Sequence, residues 1–345
     1  MPPTILRIEA KSRRVRLGKI VSFHKGVFLE SITDRIDAIT KISPEYLQKR
    51  PPAPRSVKIE LTQRCNYRCA FCALQFREKS NTDLDWALFQ RITREMREAG
   101  VVEIAPFYIG ESFVDPKRLV AAIKWLKEDL ETPYVFLTTN GSLAVPEVVE
   151  ECMKAGLNSL KFSVTSANED DFKEVVRVTP RFFHKALENI QKAREVRDQG
   201  KYATRLYASS IKYHGAQEAK MQTLLNERVI PYVDQHYWLP LYTFGAMTHH
   251  TTEEMNYKPT PGNMGRIGAL RDPLPCWCVF TEGHVCADGM LSACGFDATN
   301  QYGVADLNKV SFMEGWHSAS FVELRAAHLR KDVKGTVCEN CALYK

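Results

Sequence analysis

The chain predicts an α/β fold built on a parallel sheet. Three observations point there: six short β-branched or aromatic runs, amphipathic helices between them, and short connections. Strand–helix units joined in this way require right-handed crossovers. The runs alone allow an open doubly wound sheet or a partial barrel. In either arrangement, ligands gather at the C-terminal ends of the strands.

Each element follows from its local pattern. The candidate strands are 56–62, 103–109, 134–139, 159–165, 203–211 and 232–239. One helix carries Leu88, Ile92, Met96 and Ala99 on a single stripe and ends at Gly100, a C-terminal cap residue. The next opens on Asp115 and Pro116, an N-cap followed by proline at the first helical position. Another starts at Pro146 and stops at Gly156, with Cys152 among its apolar residues. A fourth covers about 182–196 on the stripe Phe183, Leu187, Ile190 and Ala193. After about residue 243 the texture changes, and the Pro- and Gly-rich stretch 257–275 reads as a connection to a cysteine-rich tail. These shifts divide the chain into an extension (1–50), a strand–helix region (51–260) and a tail (261–345).

With 345 residues, 44% hydrophobic and 26% charged, the composition is that of an ordinary globular protein and excludes the disordered and fibrous classes. No stretch approaches the ~20 apolar residues of a membrane span. Residues 1–17 contain no apolar run long enough for a signal peptide, so the expected location is cytoplasmic, with no membrane partner. The net charge of +6 is modest. Lys11, Arg13, Arg14, Arg16 and Lys19 form a basic cluster without a nucleic-acid motif; it reads as a solvated arm, and no nucleic-acid partner is expected.

The ten cysteines are not evenly spread. Cys65, Cys69 and Cys72 fall within eight residues, and Cys276, Cys278, Cys286, Cys294, Cys338 and Cys341 within the last 70. In a reducing compartment this pattern indicates two metal or cluster sites rather than disulfides. Cubane iron–sulfur clusters in electron carriers take four thiolates. Three cysteines with no fourth nearby leave one iron open for substrate or cofactor. A zinc site is the bland alternative, but zinc needs a second ligand pair, and none follows the first cluster.

The run Cys65-Asn-Tyr-Arg-Cys69-Ala-Phe-Cys72 resembles the signature of the radical S-adenosylmethionine (SAM) superfamily. The resemblance implies a partial (β/α)6 barrel. It also implies a SAM-binding [4Fe–4S] cluster on Cys65, Cys69 and Cys72, and reductive cleavage of SAM to a 5′-deoxyadenosyl radical. Such enzymes draw their electron from a reducing partner such as a flavodoxin or ferredoxin. Further positions resemble the family's cofactor contacts: Gly110 and Glu111 in Tyr-Ile-Gly-Glu, Asn140 in Thr-Thr-Asn-Gly, Ser163 and Thr165 on the fourth strand, and Phe71 against the adenine. Where the family has two glycines before the glutamate, this chain has Ile109 and Gly110. For Ser163 and Thr165, ordinary strand alternation is an equal explanation.

The tail resembles the small cysteine-rich SPASM/twitch extension of the same superfamily. Matching its pattern assigns Cys276, Cys294, Cys338 and Cys341 to one auxiliary [4Fe–4S] cluster, with a zinc site as the alternative. Cys278 and Cys286 do not match the extension's remaining ligands; each is a hydrogen-donor candidate or a buried apolar residue. Tyr237, Trp238 and Tyr242 line the barrel mouth or pack at a strand end.

The resemblance implies radical chemistry on a small polar substrate of sugar, aminocyclitol or nucleoside type in natural-product biosynthesis. The outcome would be dehydrogenation, or a related change such as epimerisation or decarboxylation. A maturase acting on a ribosomally made peptide is the alternative within the class, although residues 1–50 are short for a leader-binding module. From another class, the chain could be a non-catalytic electron carrier or a zinc-stabilised binding module.

Overall fold

The computed structural model describes residues 31–77, 82–213, 215–242, 244, 247–248, 263–339 and 341. The basic cluster Lys11–Lys19 lies outside these residues. Contacts divide the chain after Glu30, and Ser31–Lys345 form one compact unit.

All six expected strands form: β1 (Ser56–Ile59), β2 (Glu103–Ala105), β3 (Tyr134–Thr139), β4 (Ser159–Val164), β5 (Arg205–Ile211) and β6 (Gln235–Leu239). They pair in parallel in chain order. Several are shorter than expected at their C-terminal ends, where the chain turns into loops. β2 stops before Pro106, which has no N–H to continue the ladder. Between them run α2 (Trp86–Glu98), α3 (Pro116–Lys124), α4 (Pro146–Lys154), α5 (Glu169–Val176), α6 (Arg181–Gly200) and α7 (Ala216–Arg228). Asp115 caps α3 by accepting from Arg118 N at 3.1 Å, and Gly100 and Gly156 take positive φ where helices were expected to stop. Cys152 is fully buried on α4, and Phe183, Leu187, Ile190 and Ala193 of α6 are buried as their spacing required.

On the inner side of the sheet, residues two apart on β1 (Ser56, Lys58), β4 (Ser159, Lys161) and β6 (Tyr237, Leu239) line one cavity of about 260 Å³. Strands far apart in the sheet order can share one cavity only if the sheet curls, as in a partial barrel. β6 stays at the sheet's edge, so the described strands form no closed barrel.

The extension contains a helix, α1 (Ile32–Thr40), that the sequence pattern did not disclose. It packs against the N-terminal ends of the strands. Its N-cap Ser31 donates to Gln235 at the start of β6 (3.1 Å), and Arg35 binds Glu103 at the start of β2 (2.8 Å) while lying 3.5 Å over the Tyr134 ring. The helix therefore floors the cavity with Ile32, Arg35 and Ile36.

The tail contains β7 (Gly265–Arg266), β8 (Ala269–Leu270), α8 (Cys278–Thr281), β9 (Glu282–Val285), β10 (Met290–Ser292), β11 (Gly303–Asp306), α9 (Phe312–Trp316) and α10 (Ala319–Leu329). β7 and β8 form a separate hairpin, whereas β9–β11 join the main sheet, giving the order β11-β10-β9-β1-β2-β3-β4-β5-β6. β9 runs parallel to β1, with Ser56 opposite Glu282 and Ile59 opposite Val285.

Candidate functional site

The first cysteine loop leaves the C-terminal end of β1. Its backbone is tied to the end of α5, Arg68 N donating to Val176 O (3.2 Å) and Ala70 N to Val175 O (2.8 Å). Tyr67 packs edge-on against Phe172 at 5.5 Å. Cys65, Cys69 and Cys72 come close enough for their charges to oppose one another. Burial, more than this repulsion, pushes Cys65 up to about 12 and Cys69 well above its usual value. Thiolates gathered in such a desolvated place need a bound cation to be stable, and a metal cluster supplies one.

Glu60 anchors the loop. Its carboxylate is almost wholly buried, takes Arg77 at 2.9 Å, and accepts from Gly110 N and Ala287 N, both at 3.2 Å. One side chain thus joins the ends of β1, β2 and β9. Gly110 is needed here for a steric reason, since a Cβ would lie 2.1 Å from the Thr62 carbonyl oxygen. The buried Glu111 carboxylate accepts from Phe113 N (3.1 Å), Thr139 Oγ1 (3.0 Å) and Asn140 N (2.8 Å), holding the β2 and β3 ends together. Asn140 Nδ2 in turn donates to Asn66 Oδ1 within the cysteine loop at 2.8 Å. Asn140, Ser163 and Thr165 share a small cleft with Tyr67. Phe71 is half-buried against the main core.

In the tail, Cys276, Cys278, Cys294, Cys338 and Cys341 all line a second, small cavity of about 30 Å³. The four cysteines expected there are together, and Cys278 is a fifth. Asn263 Nδ2 donates to Cys278 Sγ at 3.0 Å. Cys286 lines neither cavity; it is fully buried at the end of β9, in the field of Glu60 and Asp297. His328 of α10 accepts from Cys276 N at Nδ1 (3.2 Å), so its proton sits on Nε2, which donates to Cys338 Sγ at 3.4 Å. Burial lowers His328 to about 4, which keeps the ring neutral.

The two cavities adjoin, sharing Asn263 and Phe296, while Trp277, the neighbour of Cys278, lines the barrel cavity. On the wall of the barrel cavity Lys58 Nζ binds Glu282 at 2.9 Å, and His284 Nε2 donates to Glu282 at 2.8 Å. Burial alone would raise Glu282, but Lys58 and His284 outweigh it and hold the carboxyl at about 2. Cys278, Glu282 and His284 offer ligand atoms within 4.8 Å of one another, yet the Lys58 ammonium already supplies the cation at that carboxylate.

The radical SAM superfamily model matches residues 59–203, and a model described as an iron-sulfur cluster-binding domain, SPASM, matches 276–342. The chain therefore carries a radical SAM domain and, C-terminal to it, a SPASM domain. Its cofactors are accordingly SAM, a [4Fe–4S] cluster and an auxiliary cluster. Among curated relatives, a GTP 3′,8-cyclase of Desulforamulus reducens is 30% identical over 142 residues, 41% of this chain and 42% of that protein. An S-adenosylmethionine-dependent nucleotide dehydratase of Oncorhynchus mykiss is 27% identical over 168 residues, 48% and 47% of the two chains. The chain thus spans less than half the length of these relatives. Among solved structures, BtrN in complex with AdoMet and 2-DOIA superposes with a TM-score of 0.54 at 14% identity, covering 84% of this chain and 92% of BtrN. Streptococcus suis SuiB bound to its precursor peptide SuiA gives 0.59 at 16% identity, covering 85% and 71%. At these identities the likeness is one of fold. No helix among the described residues is long and apolar enough to cross a membrane.

Several residues that organise this radical SAM fold were not singled out from sequence: Glu60, Arg77, Asn263, His328 and the Lys58–Glu282 pair. One signal was available. Lys58 and Glu60 place two charges in the expected strand run 56–62, and buried parallel strands are usually apolar throughout. His328 gave no signal, because its role depends on where α10 docks.

Proposed function

We propose that the chain is an enzyme that abstracts a hydrogen atom from a small polar substrate held in the barrel cavity, leading to dehydrogenation or a related radical change. The observation that carries this reading is the shared wall. The strand-lined cavity of about 260 Å³ abuts the five-cysteine cavity at Asn263 and Phe296. A space of that size suits a molecule of sugar or nucleoside dimensions better than a peptide segment. The curated nucleotide-directed relatives and the BtrN complex are in keeping with a small substrate.

In this reading Cys65, Cys69 and Cys72 would hold the SAM-binding cluster. Gly110, Glu111, Asn140, Ser163, Thr165 and Phe71 would shape the SAM site. Cys276, Cys294, Cys338 and Cys341 would hold the auxiliary cluster. Bound together, cluster and SAM supply one-electron reduction and hydrogen-atom abstraction, chemistry that no side chain provides. The chain's own groups do the remainder. Glu111 and Asn140 brace the strand ends around the cysteine loop. Asn263 orients the Cys278 thiol, the hydrogen-donor candidate, beside the boundary of the two cavities. α1 closes the cavity floor against water. Residues 51–260 and 261–345 act as the SAM and auxiliary modules, and a flavodoxin- or ferredoxin-type protein is the reductant.

The deciding experiment is anaerobic purification and reconstitution, with iron, sulfide and zinc counted and 5′-deoxyadenosine measured after reduction with SAM. Two cubane clusters predict about eight irons and about eight sulfides without zinc. Zinc in the tail would remove the auxiliary cluster, and absence of 5′-deoxyadenosine would overturn the reading.

A further inference from the structure

The charged residues that line the barrel cavity do not balance. Among the described residues, Arg35 is matched by Glu103 at 2.8 Å and Lys58 by Glu282 at 2.9 Å. Lys161 lines the same cavity, and no described carboxylate lies within ion-pairing distance of it. Its ammonium donates to Tyr237 Oη at 3.1 Å, which leaves hydrogen-bonding capacity unused. Tyr237 also acts on the charge of Lys58, so its hydroxyl lies in the field of both lysines. A second polar group points the same way. Ser56, fully buried and lining the cavity, has no hydrogen-bond partner for its Oγ. Buried polar groups are normally paired, and a partly buried ammonium without a counter-charge is unfavourable. A ligand bearing negative charge would satisfy both deficits.

The position on the strand is informative. Along β4 the residues Ser159, Lys161 and Ser163 alternate on one side. Ser163 opens at the C-terminal end into the cleft with Asn140 and Thr165, and Lys161 lies two residues, ~7 Å, deeper toward α1. An anion on Lys161 would leave the rest of a small molecule extending up toward the strand ends.

We propose that Lys161, supported by Tyr237, binds an anionic group, a carboxylate or a phosphate, of the small molecule that occupies the barrel. The anionic end then lies toward Ser56 and the cavity floor, and the neutral polar part meets the upper strand residues. This rests on the reading of the cavity as the substrate site. It narrows the substrate class from polar to anionic.

The test is calorimetric titration of the reconstituted, unreduced protein with SAM present, using inorganic phosphate, acetate and neutral acetamide as separate probes. At least one anion binds, acetamide does not, and which anion binds distinguishes phosphate from carboxylate. Because a hydrogen bond to a charged group contributes about 1.5–3 kcal/mol, Lys161→Gln weakens the anion about tenfold or more, Lys161→Arg restores it, and Tyr237→Phe weakens it less. Equal anion binding by Lys161→Gln and the unmodified protein, or no binding of either anion, overturns the proposal. The unmodified chain is assayed in parallel for 5′-deoxyadenosine. Absence of cleavage with anion binding intact sinks the functional reading alone, whereas cleavage without Lys161-dependent anion binding sinks this inference alone.

Discussion

The two cysteine sites are built in opposite ways. Cys65, Cys69 and Cys72 sit on one loop that follows a single strand, and its frame is carried by backbone bonds to α5 and by Glu60. The tail cavity draws its thiols from the start of α8, from the turn after β10 and from the segment after α10, and His328 links two of the three. The first site depends on spacing, the second on docking. The first should therefore be destroyed by changing one ligand but tolerate movement elsewhere, whereas the second should be sensitive to residues that never touch metal.

The largest effect tests the first half of that contrast. Cys72→Ala should abolish 5′-deoxyadenosine formation and remove about four of about eight irons. Cleavage at the unmodified rate would sink the assignment. Next, Cys338→Ala should also remove about four irons yet retain SAM cleavage while product formation collapses. Equal loss of both activities in a folded protein would mean that the tail has no separate role. Glu60→Ala should blur the contrast, because it leaves buried Arg77 unpaired and frees the ends of β1, β2 and β9 at once. A loss of about 3–5 kcal/mol is expected from denaturant unfolding. A loss below about 1 kcal/mol would show that the pair is solvated. The smallest effect sharpens the second half. His328→Leu should weaken retention of auxiliary iron by about 10–100-fold against a chelator, with the SAM-site iron unaffected. If both sites lose iron alike, His328 supports the fold rather than the tail site.

Much of this was legible in the sequence, for reasons the same contrast explains. The strands were readable because each is a local run, and α3 and α4 because proline and glycine mark their ends. The cysteine loop was readable from spacing alone, and Cys276, Cys294, Cys338 and Cys341 from resemblance to a known pattern. What escaped were residues whose meaning is set by distant partners. Cys278 falls outside the ligand spacing of that pattern, yet the turn into α8 brings it into the cavity with the other four. α1 has a modest pattern of its own and is fixed by Arg35 and Ser31 reaching β2 and β6. Gly110 was read as a cofactor contact, whereas the approach of the Thr62 carbonyl gives it a second, purely steric necessity.

The parallel pairing of β9 with β1 bears on how the chain reaches its native state. On emergence from the ribosome, β1 has β2 to pair with but no neighbour on its other side until the chain has been extended as far as Glu282. Contacts so distant along the chain are slow to form, and an open strand edge invites pairing with another molecule. Prematurely terminated chains lacking β9 should therefore aggregate rather than persist as a soluble barrel. The cysteine loop that leaves β1 would also acquire its final frame only late, when Ala287 arrives to meet Glu60.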